Sequence, residues 1–214
     1  MRYLIVCGGK IDKEFGLNEI KTDGIDAIIA ADSGMDFLYE NGVTPDIIVG
    51  DFDSATTKAL EFFERKGQTE IHRLNPVKDD TDTEYAIRLA IKHGARSIVV
   101  IGATGSRIDH VLGNISLLGI GLESGIDIRI IDANNRIRMA DKPVTIEKSS
   151  QYGRFVSLIA LTDDNEVSLK GFKYPVTDYS FDRFTSLGIS NEIVDENAMI
   201  DIHRGKFIII ESKD

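Results

Sequence analysis

Tryptophan is absent from this 214-residue chain, cysteine occurs once and proline four times. A single cysteine, Cys7, excludes an intrachain disulfide and suits a reducing compartment. It ends the apolar run Tyr3–Cys7 and reads as a buried structural thiol rather than a nucleophile. Basic residues are outnumbered: 25 Lys and Arg stand against 35 Asp and Glu, for a formal net charge of −10. That balance argues against a nucleic-acid partner, which needs clustered Lys and Arg. It leaves room for a small phosphorylated ligand whose charge a metal ion offsets. No apolar run approaches the roughly 20 residues of a membrane span. The stretch Met1–Val6 is too short for a signal peptide, so the expected location is cytoplasmic, with no membrane partner. Also missing are the G-x-x-x-x-G-K-[ST] phosphate loop, the G-x-S-x-G elbow and any Cys/His spacing for zinc.

What the chain does contain is an ordinary globular composition, 42% hydrophobic and 28% charged, enough for one large domain or two modest ones. Strand-like runs at Tyr3–Cys7, Ile25–Ala31, Ile47–Val49, Ser97–Ile101 and Ile126–Ile131, with a weaker one at Glu70–Leu74, alternate with helix-like stretches. The Thr81-x-x-Glu84 spacing predicts a capping box at one helix start. Apolar strands alternating with helices imply an α/β domain with a mostly parallel sheet. The pattern changes at Asp132–Asn135, and short extended runs separated by turns follow, which imply a smaller all-β sandwich or barrel. The expected division is an α/β domain over 1–135 and an all-β domain over 140–214.

Four polar clusters follow strand ends: Asp32-Ser33-Gly34, Gly50-Asp51-Phe52-Asp53-Ser54, Lys78-Asp79-Asp80-Thr81-Asp82 and Gly102–His110. In an open parallel sheet those ends lie along one edge, where ligands bind. If the chain stays extended, Asp51 and Asp53 share a face about 7 Å apart. Paired carboxylates repel, and a divalent cation relieves the repulsion; oxygen ligands of this kind suit Mg²⁺ held with substrate phosphates. Asp79 and Asp82, three apart, share a face if the turn between them is helical. The same acids also read as a polar turn and as charges complementing a helix dipole. Lys78 suits a phosphate oxygen, and Arg107 suits bidentate capture of phosphate. The glycines of the last cluster let the backbone approach such a group. Asp109 reads either as a ligand or as a first-turn helix charge, and His110 as a group that orients a phosphate or carboxylate.

These clusters stand in the order and spacing of the thiamine pyrophosphokinase family, which the chain resembles over nearly its whole length. Gly171-Phe172-Lys173-Tyr174-Pro175 and Gly188-Ile189-Ser190-Asn191-Glu192 resemble that family's second domain. The resemblance implies an α/β catalytic domain that binds ATP and Mg²⁺, a β-sandwich that binds thiamine, and a homodimer with active sites between subunits. It implies transfer of a diphosphoryl group from ATP to thiamine. Asp51, Asp53 and Asp82 would then hold Mg²⁺, with Asp79 assisting, and Asp53 or Asp82 would accept the hydroxyl proton. Lys78 and Arg107 would stabilise the transferred charge, and Asp32, Ser33, Thr104 and Gly105 would shape the nucleotide site. Ser190 and Asn191 would make polar contacts to thiamine. Ser106 stands where the family often has a glycine, and Tyr174 where many relatives carry tryptophan, so stacking on thiamine would fall to Tyr or Phe. A metal-dependent phosphohydrolase, another phosphoryl or nucleotidyl transferase, and a non-catalytic nucleotide- or thiamine-binding module are the alternatives.

Overall fold

Short β-branched runs that are apolar on both faces can be buried only in the middle of a layered sheet, and the N-terminal part of the chain is built on such runs. The computed structural model describes residues 1–52, 57–75 and 80–214. The described chain divides into two compact units, Met1–Ala133 and Asn134–Asp214.

The first unit alternates β1 (Arg2–Val6), α1 (Lys13–Ile20), β2 (Ala27–Ala31), α2 (Gly34–Glu40), β3 (Ile47–Gly50), α3 (Thr57–Lys66), β4 (Glu70–Arg73), α4 (Asp82–Lys92), β5 (Ser97–Ile101), α5 (Ile108–Ser124) and β6 (Asp127–Ile131). The strands lie in the order β4-β3-β2-β1-β5-β6, and every pairing is parallel. Leu4, Ile5, Val6, Ile48, Val49 and Ile98 are fully or almost fully enclosed, as central strands covered on both faces require. The order reverses between β1 and β5, so the loops leaving those two strands diverge and open a crevice at the carboxyl ends. Helix α4 starts where its sequence predicts: the Thr81 hydroxyl accepts the Glu84 N–H at 3.2 Å. Glu84 itself receives Arg88 one turn on, at 2.7 and 2.9 Å. Helix α1 is not anticipated by the alternation above. Its face is weakly amphipathic, and its start is marked by one signal, Asp12, which accepts the Phe15 N–H at 2.9 Å.

The second unit contains β7 (Asn135–Ala140), β8 (Val144–Glu147), β9 (Phe155–Ala160), β10 (Glu166–Lys170), β11 (Val176–Ser180), β12 (Asn191–Glu192), β13 (Asn197–Arg204) and β14 (Phe207–Ser212). Strands β12-β9-β14-β7 run antiparallel to one another, as do β11-β10-β13-β8. Val156, Leu158, Phe207 and Ile209 from the first group and Ile146, Val167, Leu169 and Ile200 from the second share one apolar core, the inward half of each strand's alternation. Strand β7 escapes notice in the sequence because Arg136 and Arg138 make it look like surface loop. Their partner is distant: Arg136 lies opposite Glu211 on β14.

Candidate functional site

The crevice holds a cleft of about 880 Å³, lined by the loops after β1, β2 and β5 and by the first turns of α4 and α5. Its floor depends on close backbone approach. Gly9 donates its N–H to the Gly102 carbonyl at 2.9 Å, and a Cβ on Gly9 would lie 2.4 Å from that oxygen, so only glycine fits. Gly102 has φ +69°, a conformation that also favours glycine.

Asp32 and Asp82 line one wall, and with Asp51 beside them they bring a carboxylate oxygen each to within 4.8 Å of one another, all three half-buried. Parallel topology produces this convergence. Asp32 follows β2, Asp51 follows its neighbour β3, and Asp82 opens α4. The Asp32 N–H donates to the Val49 carbonyl at 2.8 Å, which ties the β2 loop to β3. Two residues here have left-handed backbones without being glycine, Asp32 at φ +49° and Phe52 at +65°. Aspartate tolerates that region; for phenylalanine it costs about 1 kcal/mol or more. The Phe52 ring lies against Gly50, with the Arg73 guanidinium 5.4 Å from its centroid.

The left-handed Phe52 corrects one premise. Strand β3 ends at Gly50 and Phe52 is left-handed, so the extended run does not pass through Phe52; the face expected to be shared by Asp51 and Asp53 depends on residues outside those described. Asp53, Lys78 and Asp79 lie outside the described residues. Asp32, expected beside the nucleotide, is a member of the carboxylate group. Its chain position, 19 residues before Asp51, gives no local hint of this.

The opposite wall is the loop 102–107 and the start of α5. Thr104 donates its hydroxyl to Asp132 at 2.8 Å, and the Asn114 amide donates to the Ala103 carbonyl at 2.8 Å, so β6 and α5 both hold this loop in place. Ser33, Thr104, Gly105, Arg107, Asp109 and His110 all line the cleft. Arg107 grips Asp109 with both arms, at 2.6 and 3.3 Å, and this hydrogen bonding lowers the Asp109 carboxyl to about 2. Both side chains are exposed, so an incoming anion competes with Asp109 for a guanidinium already oriented at the rim. Lys10, Asn114 and Asp132 belong to this wall or its support and were not singled out from sequence. The Gly8-Gly9-Lys10 turn after a strand was the available signal for Lys10; Asp132 carried none beyond following β6. Cys7 is enclosed, and burial pushes its thiol up to about 11; its sulfur lies 3.4 Å from the Thr83 hydroxyl. It is a structural thiol.

In the second unit, Tyr174 is exposed, Ser190 is exposed at φ +61°, and Asn191 is buried. The Ser190 N–H donates to Ser157 Oγ at 3.0 Å. The Asn191 side chain is hydrogen-bonded to the backbone of Tyr174.

Both units have counterparts among known proteins. Residues 21–130 match a family model described as the thiamin pyrophosphokinase catalytic domain, and residues 143–207 one described as the thiamin pyrophosphokinase vitamin B1 binding domain. A thiamine pyrophosphokinase of Bacillus subtilis (strain 168) is 34% identical over 187 residues, 87% of each chain. The crystal structure of a Bacillus subtilis thiamine pyrophosphokinase superposes with a TM-score of 0.89 at 33% identity, covering all of both chains. That of a Geobacillus thermodenitrificans thiamin pyrophosphokinase superposes at 0.87 and 29% identity, over 100% of this chain and 98% of that one.

Proposed function

The chain belongs to the thiamine pyrophosphokinase family, and from that membership we propose that it transfers the diphosphoryl group of ATP to the hydroxyl of thiamine. The thiamine hydroxyl oxygen forms a bond to the β-phosphorus while the bond from that phosphorus to the α–β bridging oxygen breaks. AMP leaves, the hydroxyl proton passes to a carboxylate, and thiamine diphosphate is the second product.

The observation that carries this reading is the carboxylate group at the cleft, Asp32 and Asp82 on its wall with Asp51 beside them, all within 4.8 Å. Its donor set is all oxygen and all anionic, which fits Mg²⁺ and not the soft metals. Asp51 and Asp82, with Asp32 and with Asp53 from the adjoining segment, would hold it. Bound there, Mg²⁺ supplies neutralisation of the charge on the phosphate oxygens. The protein's own groups do the rest. Arg107 and Lys10 face the cleft as cations, Lys78 and Asp79 would add to it from the sequence just before α4, and Asp109 and His110 keep the rim polar. The Thr104–Gly105 turn, braced by Asp132, offers backbone N–H groups at the entry to α5. Ser33 shapes the nucleotide side. The proton acceptor is Asp53 or Asp82. Phosphoryl transfer of this kind needs alignment and charge stabilisation more than covalent help. In the second unit, Tyr174, Ser190 and Asn191 form the thiamine side. The active form is a homodimer with sites between subunits, located in the cytoplasm; among the described residues no helix is long and apolar enough to cross a membrane.

The test is to incubate the protein with ATP, Mg²⁺ and thiamine and to identify products by mass. AMP and thiamine diphosphate in equal amounts, abolished by chelator, are expected. Phosphate release that needs no thiamine would make it a phosphohydrolase, and binding of ATP and thiamine without turnover would make it a binding module.

A further inference from the structure

Asn191 enters the second unit beside β9, where it pairs with Val156. The turn before it is pinned twice, by the Leu158 N–H on the Gly188 carbonyl at 2.9 Å and by Ser190 on Ser157. The strand carrying Asn191 runs against the segment 171–174. Phe172 bridges Ile193, and the Lys173 N–H donates to the Glu192 carbonyl at 2.8 Å. At Tyr174 the backbone pairing is replaced by a side chain. Asn191 Oδ1 accepts the Tyr174 N–H at 3.1 Å, and Asn191 Nδ2 donates to the Tyr174 carbonyl at 2.9 Å. The same Oδ1 also accepts the Glu192 N–H at 2.9 Å. The carboxamide therefore does for Tyr174 what a facing peptide group does in an antiparallel ladder, satisfying donor and acceptor of one residue together.

The side chain that makes these bonds is 7% exposed, while the ring it serves is 63% exposed. An aromatic residue with a fixed backbone and a bare ring has already lost the freedom that binding would otherwise cost. The ring has a fixed neighbour as well. Lys173 Nζ sits 5.6 Å from its centroid and is held by Glu192 at 2.8 Å, which in turn binds Arg154 at 2.9 Å.

We propose that Asn191 is a positioning residue that acts on thiamine through Tyr174, by clamping that residue's backbone, and makes no contact of its own with the vitamin. This rests on the reading above that the second unit presents Tyr174 to thiamine. It reassigns Asn191 from a polar contact to the support of an aromatic one. The Asn191 oxygen accepts two N–H groups and its nitrogen donates one bond, so a contact with thiamine through the oxygen or through that N–H would have to dismantle the clamp.

A double-mutant cycle tests it. Tyr174→Ala and Asn191→Leu are each expected to raise the KM for thiamine about tenfold, the scale of a lost stacking contact or of lost hydrogen bonds. The KM for ATP stays unchanged in both, a split that general loosening of the fold would not give. The double variant is expected to match Tyr174→Ala alone. Multiplied effects in the double variant would overturn the proposal, because Asn191 would then be touching thiamine independently. If Asn191→Leu fails to fold, Asn191→Asp serves in the same cycle. It is isosteric and keeps the two accepting bonds but sets a carboxylate oxygen against the Tyr174 carbonyl, so a rise that vanishes in the Tyr174→Ala background is expected and a persistent one overturns the clamp. A thiamine KM unaltered by Tyr174→Ala would remove Tyr174 from the thiamine site, and the proposal with it. Thiamine-dependent AMP formation would still stand in that case, so the two failures are separable.

Discussion

Glu211, in the second unit, is 1% exposed and meets Arg136 at 2.6 and 2.8 Å across the β7–β14 ladder, with the Tyr152 N–H adding a bond at 3.0 Å. Asp32, Asp51 and Asp82, in the first unit, are half-buried and meet one another within 4.8 Å. The two arrangements use the same functional group for opposite ends. Glu211 is surrounded by hydrogen-bond donors, so its desolvation is offset within the fold. Three carboxylates drawn together repel, and the adjoining left-handed backbone at Phe52 adds strain. The first arrangement holds a domain together; the second is held in place by a domain, at some cost in stability.

Removing one member from each should therefore give opposite profiles. Glu211→Ala leaves Arg136 and Arg138 facing a vacated partner in a nearly enclosed site, and should lower unfolding free energy by about 3–5 kcal/mol, read by urea denaturation. Loss of activity would follow only as the protein unfolds. Asp82→Asn should lower turnover with a cost of about 3 kcal/mol in transition-state stabilisation while leaving the melting temperature level or raised, since it relieves repulsion. A drop in melting temperature comparable to that of Glu211→Ala would put Asp82 in the structural class and break the contrast. Smaller again is a pH effect at Cys7, beneath the same cleft. Its folded thiol, raised to about 11 from an ordinary 9.0, stays protonated while the unfolded thiol ionises. The stability this represents is complete below pH 9 and is lost as pH rises toward 11, on the order of 2 kcal/mol. Cys7→Ala should flatten that part of the stability profile relative to the parent chain, and identical profiles would show that the thiol does not titrate there.

Much of this molecule follows from local pattern. Runs such as Ile47–Val49 and Ser97–Ile101 are apolar on both faces and can belong only to a covered parallel sheet. The change of period near Asp132 marks a different kind of domain. The Thr81 cap is readable because it bonds to an N–H three residues away. Acidic and glycine-rich clusters after strands already suggest one functional edge, because parallel strands deliver their carboxyl ends to one side.

What local pattern does not contain is neighbour identity. That β1 and β5 are adjacent, so that Gly9 meets Gly102 and a cleft opens between them, follows from how the crossover helices pack. Asp32 joins Asp51 and Asp82 because β2 lies beside β3, a pairing that no spacing in the chain encodes. Phe52 turns left-handed against Gly50, which the alternation of residue types around it does not announce. Arg136 looks like loop until Glu211, 75 residues later, is placed opposite it. That the Asn191 amide bonds the backbone of Tyr174, 17 residues earlier, likewise shows only in the folded chain. Side-chain alternation, capping and burial are short-range properties and survive in the one-dimensional string. Which groups share a site depends on contacts between segments far apart in sequence, and those exist only once the chain has packed.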